Sequence, residues 1–288
     1  MLDMQRIREN PEAAIQLTIN KKSPADIKGL LDLDKKRKEL IQKAELLKST
    51  RNQRSQEIAK LKAEKQDASK IIDEMKNVSD EIKSLDLDKK QIEDEMYEIQ
   101  IRLPNFVHSS TPHGQSEKDN VEVSSWGEPR SESFKLKDHL EIGTSLDIID
   151  FPRGAKITGA GFPVLKGKGA LLERALINYF LDTHVQKNGY REIVPPFLAN
   201  YTSHFGVGQL PKNEDQMYYI QADEYYCIPT AEVPLTNLHR DETLEKAELP
   251  MKYCGYSACF RREAGSYGKD TKGYLRVHQF NKVEMVKI

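Results

Sequence analysis

The sequence predicts an α+β chain: an N-terminal antiparallel two-helix coiled-coil hairpin, followed by an antiparallel sheet domain. Between Ile27 and Leu103 there is no proline and a single glycine, Gly29, while apolar residues recur at three-and-four spacing. At Pro104 the texture turns to Pro, Ser, Gly, Asn and His, which is loop chemistry. Further on, short runs of Tyr, Val, Ile and Phe are broken by Pro and Gly, as expected for many strands with few helices between them. The expected organisation is therefore a hairpin region at 1–103, a linker at 104–130 and a sheet domain at 131–288.

In the hairpin, the returning arm keeps one heptad register through Met75, Val78, Ile82, Leu85, Ile92, Met96, Ile99 and Leu103, interrupted only by Lys89. The outgoing arm does the same through Leu40, Ala44, Leu47, Ile58 and Leu61, with Arg51 and Arg54 breaking the seam. Register is lost between Leu61 and Met75, so the arms are expected at about 27–65 and 69–103, folded back on each other. At 1.5 Å per residue each would be on the order of 50 Å long.

Charge is divided between the arms. The outgoing arm is rich in bases, among them Lys43, Lys48, Arg51, Arg54, Lys60 and Lys62; the returning arm is mostly acidic. A basic arm can follow a phosphate backbone by ion pairing and counterion release. Equally, charged coiled-coil flanks can simply pair with each other, and the residues leave both readings open. The net charge of −1 over 288 residues means that any affinity for nucleic acid must come from such a local patch.

No run approaches the roughly 20 apolar residues of a membrane span, and the N-terminus carries no apolar leader. Three cysteines, Cys227, Cys254 and Cys259, form no C-x-x-C pair, which fits a reducing, cytoplasmic setting without a structural metal. His108 and His113 in the linker lack carboxylate or thiol companions at ligand spacing, so they read as surface residues.

In the sheet domain, Gly169 to Lys187 predicts an amphipathic helix with Leu171, Leu172, Ala175, Leu176, Tyr179 and Phe180 on one side. Strands are expected at 190–194, 216–221, 224–229, 256–263 and 275–287. Gly167-Lys168-Gly169 faintly suggests a phosphate loop, but lacks the Lys-Ser/Thr ending that such a loop requires.

The chemistry is concentrated between Cys259 and Glu284. A strand, a glycine-rich polar loop and a returning strand would place Arg261 and Glu263 on one face, and His278, Phe280, Lys282 and Glu284 on one face of the return. An arginine fork for phosphate, a ring for a base and acids for an amine suit nucleotide binding. A salt-bridged surface hairpin would have the same composition.

The literal string decides further. Phe260-Arg261-Arg262-Glu263-Ala264-Gly265-Ser266, then Asp270-Thr271-Lys272-Gly273, then Arg276-Val277-His278-Gln279-Phe280-Asn281-Lys282-Val283-Glu284 closely resembles the second signature motif of class II aminoacyl-tRNA synthetases, in the form found in seryl-tRNA synthetases of bacterial type. Thr230-Ala231-Glu232 resembles the family's serine-recognition segment, and Gly189 to Pro195 the end of its first motif, where a helix and strand build a dimer interface.

The resemblance implies a serine–tRNA ligase that activates L-serine with ATP, accompanied by Mg2+, and transfers it to tRNA(Ser), with tRNA(Sec) as a further substrate. Arg261 would grip the α-phosphate, with Arg276 near the phosphates and Glu263 on the adenine side. Arg262 would belong to the same ATP site, Val277, His278, Gln279 and Phe280 would line the adenine slot, and Phe280 would stack on the base. Thr230, Ala231, Glu232 and Glu284 would bind serine. The loop at 265–273 would approach the tRNA acceptor end, and the basic arm would hold its long variable arm. Family members continue well over a hundred residues further, to a third motif with a phosphate-binding arginine. This chain ends at Val286-Lys287-Ile288 without it, so 131–288 is expected to be a partial catalytic domain with little activity alone. A non-catalytic tRNA-binding protein and a coiled-coil scaffold are the alternatives.

Overall fold

The computed structural model describes residues 2–264 and 273–288. Two compact units divide the chain, Met1–Gly127 and Glu128–Ile288.

In the first unit, short helices α1 (Met4–Glu9) and α2 (Pro11–Asn20) precede the two long helices α3 (Ile27–Ala63) and α4 (Ser69–Gln100). The hairpin expected from the heptads is therefore present. Asp26 caps α3, its carboxylate accepting from the Gly29 N–H at 3.0 Å. Side-chain burial along the hairpin is uneven. Ile27, Leu30, Ala44, Ile82 and Met96 are buried, whereas the seam around Arg51 and Arg54 is half-buried or exposed. A core of Ile7, Ala14, Leu17, Ile27, Leu30, Met96 and Leu103 fixes the base of the arms.

One charge is buried in that base. Asp34 is only 2% exposed and accepts two bonds from Arg8, at 2.7 and 3.0 Å, one from Arg37 at 3.2 Å and one from Lys38 at 3.1 Å. Burial opposes ionisation, but the Arg8, Lys38 and Arg37 bonds outweigh it and hold the carboxyl well below the usual carboxylate range.

The second unit carries α5 (His139–Ser145), β1 (Ile149–Asp150), α6 (Phe151–Ile157), β2 (Val164–Leu165), α7 (Lys168–Gln186), β3 (Arg191–Glu192), β4 (Leu198–Ala199), α8 (Tyr201–Gly206), β5 (Tyr219–Ile220), β6 (Tyr225–Cys227), α9 (Glu232–Thr236), β7 (Lys252–Phe260) and β8 (Gln279–Lys287). Among the described residues the strands form three small sheets, in the orders β1-β2, β3-β7-β8 and β4-β6-β5. Most pairings are antiparallel, as expected, but β3 runs parallel to β7.

One expected strand needs correction. The strand expected at 190–194 shrinks to two paired residues, Arg191 and Glu192, because Pro195 and Pro196 follow and cannot donate to a ladder. The apolar side of α7 is not covered: Leu171, Leu172, Leu176, Tyr179 and Phe180 are all exposed, and only Gly169 of the helix is buried. The glycines near its start serve packing and turning. A Cβ on Gly169 would come within 2.5 Å of the Ile148 carbonyl oxygen, and Gly167 has φ +55°.

Replacing Asp34 by Ala removes the hydrogen bonds from Arg8, Arg37 and Lys38, cations that stay partly open to water, and should destabilise the first unit by about 2 kcal/mol, read from urea denaturation. Because Asp34 titrates below its unfolded value, its contribution is complete at neutral pH and is lost only as the pH falls below about 4. A variant with unaltered acid sensitivity would contradict this.

Candidate active site

The site is built on the β7–β8 pair. Its register sets Cys259 opposite Phe280, Ser257 opposite Lys282 and Gly255 opposite Glu284. Paired residues share a face, so Phe280, Lys282 and Glu284 rise together from β8. Gly255 keeps that face open: an added Cβ would stand 2.7 Å from the Ile193 carbonyl oxygen and 3.5 Å from Leu235 of α9.

At one end, β7 stops at Phe260 and the next residue, Arg261, stays in register through its N–H, which donates to the His278 carbonyl at 2.9 Å. The Arg261 guanidinium lies 5.0 Å over the Phe280 ring. Glu263 does not follow by strand alternation. Its φ is +47°, in the left-handed region, yet its carboxylate accepts from Arg276 at 3.2 Å. Arg261, Glu263 and Arg276 line one cavity of about 360 Å³, together with Gln209, Asn213, Gln216, Met217 and Pro229.

At the other end, Thr230 is buried and its hydroxyl donates to Glu284 at 2.6 Å. The Lys282 ammonium meets the same carboxylate oxygen at 2.6 Å. Burial works against ionising Glu284, but the Lys282 and Thr230 bonds prevail and set its carboxyl below the ordinary value. It is therefore a carboxylate at neutral pH. Pro229 lines the cavity of Arg261 and is joined by one peptide bond to Thr230, so the two clusters are neighbours.

Thr230 and Glu232 do not share a strand face, because a helix begins at Glu232. Glu232 opens α9, and its N–H donates to the Thr230 hydroxyl at 3.1 Å as a helix start. The Glu232 side chain is exposed and makes no hydrogen bond or ion pair among the described residues. Ala231 is fully buried with Leu235 and Tyr253, so it serves the core under the site.

The remaining predicted residues divide similarly. The exposed Arg262 donates to the Asp215 carbonyl at 3.2 Å. Val277 is buried and Gln279 exposed. His278 bonds the Arg261 carbonyl through Nδ1 at 3.0 Å and stacks on Phe162 at 5.1 Å. Gly161, with φ +82°, allows this close approach, since a Cβ there would collide with the imidazole. Of the loop expected at 265–273, residues 265–272 lie outside the described residues. On the hairpin, Lys43, Lys60 and Lys62 are exposed and Arg51 is half-buried. Arg54 pairs with Glu57 at 2.7 Å, and Lys48 reaches across to Asp86 of α4 at 3.2 Å.

Among the residues of the site that had no role assigned from sequence, two make its key contacts. Lys282 was visible as a member of the face but not as the partner of Glu284. Gln216, far upstream and on a turn, gave no signal at all.

Residues 1–107 match the family of the seryl-tRNA synthetase N-terminal domain, and residues 217–288 that of the class II tRNA synthetase core domain (G, H, P, S and T). Over its whole length the chain is 53% identical to the serine–tRNA ligase of Chloroherpeton thalassium and spans 68% of that protein. It belongs to the seryl-tRNA synthetase family. The serine–tRNA ligase of Thermoanaerobacter pseudethanolicus is 51% identical, again with 68% of its length spanned. Among solved structures, the chain resembles the seryl-tRNA synthetase of Pyrococcus horikoshii complexed with ATP, with a TM-score of 0.91 and 32% identity over 100% of this chain and 69% of that one. The cytoplasmic serine–tRNA ligase of Naegleria fowleri in complex with AMP gives 0.83 and 29% over 99% and 66%.

The Lys282–Glu284 contact makes a direct prediction. Lys282→Met removes the ammonium but keeps the burial, so the Glu284 carboxyl should titrate at higher pH than in the parent, as followed by side-chain carboxyl NMR. An unmoved titration would rule out the ion pair as the cause.

Proposed function

We propose that this site joins ATP and L-serine as seryl-adenylate and that the seryl group then passes to tRNA(Ser), with tRNA(Sec) as a further acceptor. The observation that carries the reading is one sheet face holding an arginine, a ring and a paired carboxylate in line. Phe280 and Glu284, four residues apart on a strand, are separated by about 13 Å. That span suits a nucleotide at one end and an amino acid at the other.

In this reading the serine carboxylate attacks the α-phosphorus of ATP, pyrophosphate leaves, and a terminal ribose hydroxyl of tRNA later attacks the seryl carbonyl and releases AMP. No protein nucleophile is needed; the work is positioning and charge stabilisation. Arg261 grips the α-phosphate by turning from its place over Phe280, which frees the ring to stack on adenine. Val277, His278 and Gln279 form the slot behind it. Glu263 faces the adenine side, Arg276 stands near the phosphates, and Arg262 holds the segment between them.

Thr230, Ala231, Glu232 and Glu284 form the serine end. A site built to hydrogen-bond a hydroxyl rejects a substrate lacking it, because its buried polar groups would be left unpaired. Mg2+ would accompany the nucleotide and neutralise phosphate charge. Among the described residues no three His, Cys, Asp or Glu side chains converge into a metal cage, and Mg2+ held largely by phosphate oxygens and water requires none.

The exposed bases of α3, including Lys43, Lys60 and Lys62, support a role of the hairpin in holding tRNA, together with Lys48, Arg51 and Arg54. A homodimer is part of the same proposal, supported by the uncovered apolar side of α7. So is a cytoplasmic location, supported by the free thiols of Cys227, Cys254 and Cys259; no described helix is long and apolar enough to cross a membrane.

Serine-dependent ATP–pyrophosphate exchange by the full-length protein tests the reading. Glu284→Ala should lower kcat/KM for serine by at least about a hundredfold, with ATP binding retained; unchanged serine kinetics would refute the assignment. Absence of exchange by a well-folded parent would favour a non-catalytic tRNA-binding protein. Deleting residues 28–103 should spare exchange and cut tRNA charging by at least about tenfold, with the parent's charging also weakening steeply in salt. Equal charging without the hairpin would remove its role.

A further inference from the structure

Upstream of the site, the 3-10 turn Glu214–Gln216 lies beside the segment that follows β7. Gln216 meets that segment three times. Its carbonyl oxygen accepts from the Arg262 N–H at 2.9 Å, its side-chain amide donates to the Ala264 carbonyl at 3.0 Å, and its Oε1 accepts from the Ala264 N–H at 2.9 Å. The Arg262 guanidinium, donating to the Asp215 carbonyl, ties the same two segments again. Between the two clamped residues stands Glu263, whose φ of +47° is unfavourable for any residue with a side chain. Such a conformation persists only where its surroundings impose it.

We infer that Gln216 is a positioning residue for nucleotide binding: it pins Arg262 and Ala264 so that Glu263 is held left-handed, with its carboxylate on Arg276 and in the cavity. The side chain type matters. A primary amide can donate to and accept from the backbone of one residue at once, as a strand partner does. Glutamate keeps only the acceptor and leucine neither. Gln216 lines the same cavity as Arg261, Glu263 and Arg276, so the clamp acts directly at the wall it shapes. The inference rests on the proposed reading of that cavity as the nucleotide site.

ATP–pyrophosphate exchange by the full-length protein separates the two. In Gln216→Leu the KM for ATP should rise on the order of tenfold, from the loss of two hydrogen bonds, with the KM for serine and the Tm unchanged. Gln216→Glu should give a smaller rise, and serves as the test if the leucine variant does not fold. In a Glu263→Ala background, Gln216→Leu should add nothing further, the mark of a residue acting through Glu263. An unchanged KM for ATP in both Gln216 variants would overturn the inference, as would a parallel rise in both KM values with a lowered Tm. If Glu263→Ala itself leaves the KM for ATP unaltered, the nucleotide reading of the cavity falls instead.

Discussion

The antiparallel register of β7 and β8 is the constraint on which the site depends. With Cys259 opposite Phe280 and Gly255 opposite Glu284, the side chains on one face stand at fixed two-residue intervals. A slip by one residue would send Phe280, Lys282 and Glu284 to the face that meets α7. That face has its own lock: the Asn281 amide donates to Glu173 of α7 at 2.8 Å, while its carbonyl oxygen accepts from the Tyr256 hydroxyl at 2.8 Å. The register is thus fixed by polar bonds on one side, and by Thr230 on Glu284 together with Leu235 over Gly255 on the other. Cys254, Ser257 and Cys259 of β7 are fully buried.

The hairpin follows a different economy. Its buried cluster lies at the base; further out, apart from the buried Ala44 and Ile82, the seam is half-buried, and contacts such as Lys48 to Asp86 also join the arms. Both side chains of that pair remain more than 40% exposed, and ion pairs so open to water contribute only about 0–1 kcal/mol. Cohesion must therefore come mainly from the packed base, where Asp34 gathers its three cations. The outer part of α3 keeps Lys43, Lys60 and Lys62 exposed to water.

Much of this was legible from sequence because long-period patterns report directly on burial. The heptads of the returning arm and the change of texture at Pro104 located the hairpin, and the motif string located the β7–β8 pair. Local geometry was less legible. The strand before Thr230 gives way to a helix at Glu232, where Pro234 suits a helical first turn and the Thr230 hydroxyl accepts from the Glu232 N–H. Alternation also failed at Glu263, since nothing in its letter marks a positive φ. Gln216 could not be found, because a clamp between segments distant in sequence leaves no periodic trace. The apolar side of α7 was read correctly as a pattern, but a pattern does not say whether anything covers it.

The single peptide link between Pro229 and Thr230 has a bearing on how such a pocket can change. One residue forms a wall of the arginine-lined cavity and the next bonds the half-buried Glu284 carboxylate, so the backbone cannot retreat from one compartment without moving in the other. Enlarging the end proposed to hold serine, so as to admit a bulkier substrate, would pull on the opposite wall as well. Redesign or evolutionary drift toward another amino acid should accordingly favour exchanges of side chains on β8, which stand on a rigid ladder, over any shift of this strap.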